Sequence, residues 1–164
     1  MAVGKPEQYD RVNRWGEWTP FTPTWSSVSN PQPSIGNGTV KGRCRRDGSL
    51  GFVRYHIKVG TTTTFGTNEW RLSLPTDWWS SPSDGEADWY QTCTGLCVPN
   101  GSSPFDLVCW VEAGAQEVRV IYPSYGTTPS AAVASASPTT WTASVINFVA
   151  IGPLVVELEA PTYS

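Results

Sequence analysis

Glycine and proline, the two residues that most disfavour helix interiors, are spread along the whole of this chain. There are 15 glycines and 14 prolines among 164 residues. The one alanine-rich stretch, residues 129–138, is broken by serines and bounded by prolines, which predicts a loop. Little sequence is left for helices, so the chain is predicted to be all-β.

Strand-like alternation is clearest between Leu50 and Val59. Hydrophobic residues occupy every second position from Val53 onward, and basic residues occupy the positions between them. The dipeptide Asp47-Gly48, just before this segment, is typical of a tight hairpin turn, because such turns require positive φ angles. The sequence therefore predicts a hairpin whose first strand runs from Gly38 to Arg46.

Seven further segments carry strand signals, and a second hairpin is expected where Ala113 to Gln116 joins two of them. The segments are Trp18 to Ser26, Trp70 to Leu74, Trp89 to Thr94, Phe105 to Glu112, Glu117 to Tyr122, Thr142 to Ile151 and Leu154 to Glu159. About eight or nine short strands predict a jelly-roll-like antiparallel sandwich, which protects strand edges from pairing with other chains. We expect one domain over residues 18–164.

Residues 1–17 lack strand alternation and are predicted to form an extended N-terminal arm. An arm that docks on a neighbouring subunit would have this composition, and so would a frayed terminus. The candidate anchoring residues are Tyr9, Arg11, Arg14 and Trp15.

Charge is scarce and unevenly distributed. Charged residues make up 15% of the chain, which also has nine tryptophans and only three lysines. Interface cores are rich in aromatic residues and poor in lysine, so this composition favours contact with other protein subunits. Residues 1–71 hold ten Lys/Arg against five Asp/Glu, whereas residues 72–164 hold one against nine. This imbalance argues against a general nucleic-acid binder and favours pairing between subunits.

Adjacent aromatic residues predict that some large side chains lie outside the core. Neighbours on a strand face opposite sides of the sheet, so only one of Trp78 and Trp79 can point inward. The same reasoning applies to Trp89-Tyr90 and to Cys109-Trp110. The candidates for a subunit interface or for glycan stacking are therefore Trp78, Trp79, Trp89, Tyr90 and Trp110. Loops that fold over these rings are the third possibility.

The sequence does not predict an enzyme, a metal site or a cofactor. The single histidine, His56, lies on a strand between Arg54 and Lys58, with no carboxylate on that strand to orient it for catalysis. Asp77, Asp84, Glu86 and Asp88 are grouped in one loop, but their spacing does not match an EF-hand.

No apolar signal segment follows Met1, and the longest apolar run, residues 145–156, is interrupted and too short to span a bilayer. We expect synthesis in a cytoplasm and no membrane insertion. Four cysteines are then more readily explained as buried thiols than as a disulfide framework. Local pairing of Cys93 with Cys97 in an oxidising medium stays open.

Residues 18–75 also carry a pattern of short motifs. The motifs are Trp18-Thr19-Pro20-Phe21-Thr22-Pro23-Thr24-Trp25, Asn30-Pro31, Ile35-Gly36-Asn37-Gly38-Thr39-Val40, Gly42-Arg43-Cys44-Arg45-Arg46-Asp47-Gly48, Gly60-Thr61-Thr62-Thr63-Thr64-Phe65-Gly66 and Trp70-Arg71-Leu72-Ser73-Leu74-Pro75. The pattern resembles a small β module of tail-associated and other virion proteins in bacteriophages of actinobacteria and related hosts. This resemblance implies a homotrimeric, jelly-roll-like structural protein of the virion surface, without catalytic activity.

Three functional interpretations follow from the sequence. The first is a minor tail protein or fibre tip that contacts the host surface, including its glycans, and is made in the bacterial cytoplasm. The second is a capsid decoration or head-fibre protein located over symmetry axes. The third is a carbohydrate-binding module that uses its tryptophans. For the first two, the expected partners are other copies of the chain and other virion proteins.

Overall fold

A computed structural model describes residues 17–76, 78, 91–98, 104–112, 114–122, 131–132 and 148–158. Within these ranges the protein consists of β-strands, and all strand pairs are antiparallel. No helix of the described part is long and apolar enough to cross a membrane. The predicted all-β class is therefore confirmed.

Ten strands are present in the described part of the chain. They are β1 (Thr19–Phe21), β2 (Trp25–Ser34), β3 (Thr39–Asp47), β4 (Leu50–Lys58), β5 (Thr64–Ser73), β6 (Gln91–Val98), β7 (Phe105–Val111), β8 (Glu117–Tyr122), β9 (Ala131–Ala132) and β10 (Phe148–Glu157). Nine of them form one sheet in the order β1-β3-β4-β10-β6-β7-β8-β5-β2, and β9 pairs with β8.

This sheet curls so that its two edges approach each other. Strands β1 and β2 lie at opposite ends of the strand order, yet only residues 22–24 connect them. The Tyr55 hydroxyl on β4 donates to the carbonyl of Ser73 on β5 at 3.1 Å, which joins strands far apart in the sheet order. The described strands therefore form one sheet rolled around its core. The division into two packed sheets expected for a sandwich is not seen in them.

The core lies inside this roll. Alternate residues of each long strand point inward, among them Val53, Leu72, Leu107 and Leu154, which are almost fully buried. Trp25 and Trp70 meet edge to face, with ring centroids 4.9 Å apart. Burying such side chains contributes roughly 1.5–3 kcal/mol each relative to leaving them in water, so the inward face supplies most of the driving force for folding.

The predicted hairpins are both present. Strands β3 and β4 pair from Thr39↔Lys58 to Asp47↔Leu50, and the turn between them has a positive φ of 58° at Gly48. A glycine at the first central position is typical of a type II′ turn, whose twist matches that of the strands. Strands β7 and β8 are joined through Gly114, which also has a positive φ, of 70°.

Several predicted boundaries were wrong. The segment Trp18 to Ser26 is two strands, because the chain leaves one edge of the sheet after Phe21 and joins the other edge at Trp25. The strands predicted on either side of Gly152-Pro153 are one strand, β10, with a register shift between Ile151 and Leu154. The short strand β9 lies in the alanine-rich stretch that was predicted to be a loop. The N-terminal arm lies outside the described residues.

Candidate interaction surface

The outward side of the sheet is the surface on which a partner would bind, and strand alternation defines it. On β4 the residues Val53, Tyr55 and Ile57 are buried, so Arg54 and His56 between them face outward. The same alternation on β3, β6 and β10 extends this outer face across neighbouring strands. It carries two patches of different chemistry.

The first patch is aliphatic and lies on β6 and β10. Leu96 is 37% exposed and Val155 is 43% exposed. Leu96 is directly opposite Ala150 in the β6–β10 pair, and Val155 is opposite Phe52 in the β4–β10 pair. We call Leu96, Ala150 and Val155 the aliphatic strip.

The second patch is cationic and lies on the β3–β4 hairpin. Arg43 is directly opposite Arg54, and Lys41 is opposite His56. All four side chains are exposed, as is Lys58 at the end of β4. The patch becomes visible only when the two strands are placed side by side, because the sequence separates Arg43 from Arg54 by a turn.

Two aromatic rings support the arginines of this patch. The guanidinium carbon of Arg54 lies 4.4 Å from the centroid of the Trp18 ring, and that of Arg45 lies 4.3 Å from the Phe52 ring. Arg45 is also 5.5 Å from the Trp18 ring. Cation–π contacts of this kind contribute about 0.5–1 kcal/mol at exposed sites, and they hold the guanidinium groups in place.

At the other end of the outer face, on β5 and β8, arginines and glutamates form ion pairs that neutralise one another. Glu69, only 12% exposed at its side chain, accepts two hydrogen bonds of 2.6 Å from Arg119 and one of 3.3 Å from Arg71. Arg119 also pairs with Glu112, and Arg71 pairs with Glu117 at 2.9 Å. The hydrogen bonds to Glu69 raise the pKa of Arg119, although burial opposes this shift. This cluster is a structural feature that fastens β5 to β8.

Two of the predicted aromatic candidates fall within the described residues. Trp110 on β7 is half-buried on the outer face, and its ring lies 5.1 Å from the Arg119 guanidinium carbon. Trp78 is 9% exposed and belongs to the core, where it covers Gly51 so closely that a Cβ there would lie 2.5 Å from its ring.

Seven candidates belong to segments that the structure does not describe. Trp79, Trp89 and Tyr90 lie outside the described residues, and so do the arm residues Tyr9, Arg11, Arg14 and Trp15. The exposed aliphatic residues Leu96 and Val155 were not predicted as surface candidates. The alternation of β6 and β10 indicates that Leu96 and Val155 are exposed, but only when it is known which face of each strand is buried.

The cysteines do not support the local disulfide that the sequence left open. Cys93 and Cys97 lie on the same strand, β6, four residues apart. Their Cα atoms are then about 13 Å apart, far beyond the range of about 4.4–6.8 Å that a disulfide requires. Cys44, Cys97 and Cys109 are buried as thiols, and burial raises the pKa of the Cys44 thiol.

Hydrogen bonds join two of the sequence motifs, one containing Asn37 and the other containing Thr61 and Thr62. We call these three residues the polar clasp. The Asn37 side chain accepts hydrogen bonds from the Thr62 amide at 3.0 Å and from its hydroxyl at 3.1 Å, and donates to the Thr61 hydroxyl at 3.0 Å. The glycines beside them are tightly enclosed, since a Cβ on Gly36 would lie 2.3 Å from the Thr62 hydroxyl. These motif residues hold the fold together at this corner.

A groove of about 430 Å³ opens where the two edges of the sheet approach each other. Trp25, Ile35 and Val40 contribute to its lining, and Lys41 is the one titratable residue among the described lining residues. In the described part of the chain, no group of three or more His, Cys, Asp or Glu residues is placed to hold a metal ion.

Comparisons of the chain with protein-family models, curated proteins and solved structures found no match. The resemblance of residues 18–75 to phage virion modules therefore stays a prediction.

Proposed function

We propose that this protein is a non-enzymatic structural component of a bacteriophage particle, located in the tail and assembled as a homotrimer. The resemblance of residues 18–75 supports the phage origin, the tail location and the trimer. The geometry of the outer face supports the more general element, which is assembly through contact with other subunits.

The aliphatic strip is the observation that carries this proposal. Leu96 and Val155 point away from a core that is already filled by the inward residues of the same strands. Scattered apolar residues are normal on protein surfaces, but these lie on the adjacent strands β6 and β10. Leu96 is opposite the half-buried Ala150, and Val155 lies further along β10, past the bulge. Covering them with another subunit removes apolar area from water at roughly 25 cal/mol per Å². Because only 15% of the residues are charged, few charged side chains are available to keep such a surface from associating non-specifically.

The carbohydrate-binding alternative has weaker support, because one of its stacking residues is buried. Sugar rings stack on exposed aromatic faces, whereas the Trp78 ring lies in the core against Gly51 and Leu158. The capsid alternative differs from the tail only in location, and copy number separates the two.

The test is to purify particles from a lysate of the phage that encodes the chain and to quantify its peptides by mass spectrometry against labelled standards. The tail location predicts at most a few dozen copies per particle, because a tail repeats its parts far less often than a capsid does. Hundreds of copies would establish the capsid location instead. If the protein were absent from purified particles, the virion proposal would be wrong.

A further inference from the structure

The cationic patch on the β3–β4 hairpin has an electrostatic cost within the molecule. Arg43 and Arg54 occupy directly opposite positions on adjacent antiparallel strands. Like charges in such positions destabilise the pair. Lys41 and Lys58 lie on the same outer face, so the repulsion extends along the hairpin. We call Lys41, Arg43, Arg45, Arg54 and Lys58 the cationic ladder.

The described residues do not neutralise this charge. The ion pairs between described side chains join Arg71 and Arg119 to Glu69 and Glu117, on β5 and β8, and to Glu112, which directly follows β7. No carboxylate of the described part lies within 4 Å of the charged nitrogens of the ladder residues. Among the described side chains, the outer face is therefore neutralised at the end formed by β5 and β8 and cationic at the β3–β4 hairpin.

The spacing of the ladder suits a linear anion. Residues on one face of a strand repeat about every 7 Å, and neighbouring strands are about 4.8 Å apart. Regular rows of cations match a polymer whose charges also repeat regularly. Arginine is the preferred residue for phosphate, because its planar guanidinium presents several N–H donors at its edge.

The aromatic contacts distinguish a backbone-binding surface from a base-stacking one. Proteins that bind single-stranded nucleic acid offer open aromatic faces on which bases stack. Here the Trp18 and Phe52 rings are already in contact with the guanidinium groups of Arg54 and Arg45. Stacking on a ring leaves the N–H edge of a guanidinium available for an anion. The surface can then bind phosphates, whereas these two rings are already occupied and do not favour stacking of a base.

We propose that the cationic ladder binds a linear phosphate polymer through the charges of its backbone. The cations of this site lie on β3 and β4, whereas the aliphatic strip lies on β6 and β10. Because β4 and β10 are neighbours, the two patches adjoin but consist of different residues. The net charge of the chain is −3, so attraction arises from the ladder itself and not from the molecule as a whole.

The test measures binding of inorganic polyphosphate to the full chain by isothermal titration calorimetry at several salt concentrations. If about four cations contact the polymer, the logarithm of the association constant falls with the logarithm of salt at a slope of about −3. The double variant Arg43→Gln/Arg54→Gln is expected to weaken binding at least tenfold at low salt, on the order of one lost phosphate contact or more. Its plot of the logarithm of the association constant against the logarithm of salt should have a slope of about half the wild-type value.

Arg46→Gln is the matched control. Arg46 lies on the same strand as Arg43, but its position points to the opposite side of the sheet. Its Nε donates a hydrogen bond to the Gly48 carbonyl at 2.9 Å. Its replacement removes one positive charge, half of what the double variant removes, and should leave polyphosphate affinity within about twofold, because it removes no ladder contact. The double variant should unfold at about the same temperature as the wild type, because the repulsion that is removed offsets the lost contact of Arg54 with the Trp18 ring.

Two further probes of equal charge, single-stranded DNA and poly-glutamate, test the identity of the ligand. Polyphosphate is expected to bind at least as tightly as either. Tighter binding of DNA would show that bases contribute, and tighter binding of poly-glutamate would show an acidic protein partner; each result would overturn the proposal. So would wild-type affinity in the folded double variant, or an absence of polyphosphate binding to the wild type.

Discussion

Replacing Glu69 with glutamine should destabilise the fold more than its position on the outer face of the sheet suggests. The Glu69 carboxylate accepts three hydrogen bonds from Arg71 and Arg119, two of them at 2.6 Å. Those arginines are directly opposite each other on β5 and β8. Glutamine keeps the shape and one acceptor oxygen, but it removes the charge that separates the two cations and places an N–H group against a donor.

The magnitude follows from the burial of the partners. A hydrogen bond to a charged group contributes about 1.5–3 kcal/mol, whereas a fully exposed pair contributes about 0.2–1 kcal/mol. Glu69 is 12% exposed and the arginine side chains are about one-third exposed, so the cluster lies between these limits. We expect a loss of about 2 kcal/mol in the free energy of unfolding, and a fall in Tm of about 4–8 °C.

The measurement is urea denaturation of both proteins, followed by tryptophan fluorescence and circular dichroism. The midpoint should shift while the slope with denaturant stays constant, because the surface exposed on unfolding is unchanged. Glu117→Gln is the control: Glu117 accepts one bond from Arg71 and its side chain is 45% exposed, so we expect at most about 0.5 kcal/mol. Equal losses in the two variants would refute the idea that burial strengthens the Glu69 cluster.

Three further predictions concern local structure. Gly42→Ala should cost about 1–3 kcal/mol in thermal unfolding, because a Cβ there would lie 2.3 Å from the Phe21 ring; an unchanged Tm would contradict this packing. Asn37→Ala should cost about 1–3 kcal/mol, since it opens the clasp between two loops, and faster hydrogen exchange of the Thr62 amide would locate the loss. After mild oxidation, peptide mapping should find no link between Cys93 and Cys97, and finding one would contradict the position of both on one extended strand.

The hairpins could be predicted because each carries its own local signals. The β3–β4 hairpin combines alternation over residues 50–59 with a turn that needs the positive φ of Gly48. The β7–β8 hairpin likewise has Gly114 between two alternating segments. In both cases the pairing partners are close in sequence, so local patterns decide the structure.

The closure of the sheet could not be predicted, because it depends on contacts between distant residues. Nothing in the sequence around Thr22 to Thr24 shows that β1 and β2 belong to opposite edges. The hydrogen bond from Tyr55 to Ser73, which spans the interior, is a property of the assembled roll. The Gly152-Pro153 pair is a typical strand breaker, yet here it forms a bulge within β10, because β4 pairs with the residues before and after it.

The surface patches could be predicted only in part, because they too depend on residues that are distant in the sequence. The run Arg43 to Arg46 indicates local positive charge, but the ladder requires Arg54 on the adjacent strand at the matching register. Adjacent tryptophans predict that only one of Trp78 and Trp79 can enter the core if both lie on a strand, and local sequence does not specify which. Trp78 lies outside the strands and Trp79 lies outside the described residues, so this stays a prediction. The structure places Trp78 inside because its ring fits the space left by the missing side chain of Gly51.

The most direct test of assembly through the outer face is sedimentation equilibrium of the purified chain. We expect the wild type to have the mass of three chains and the double variant Leu96→Lys/Val155→Lys to have the mass of one. Val28→Lys is the control, because Val28 is 55% exposed on β2, at an edge of the sheet away from the strip. It should keep the wild-type mass. A monomeric wild type, or a folded Leu96→Lys/Val155→Lys variant that still assembles, would contradict the proposed role of this surface.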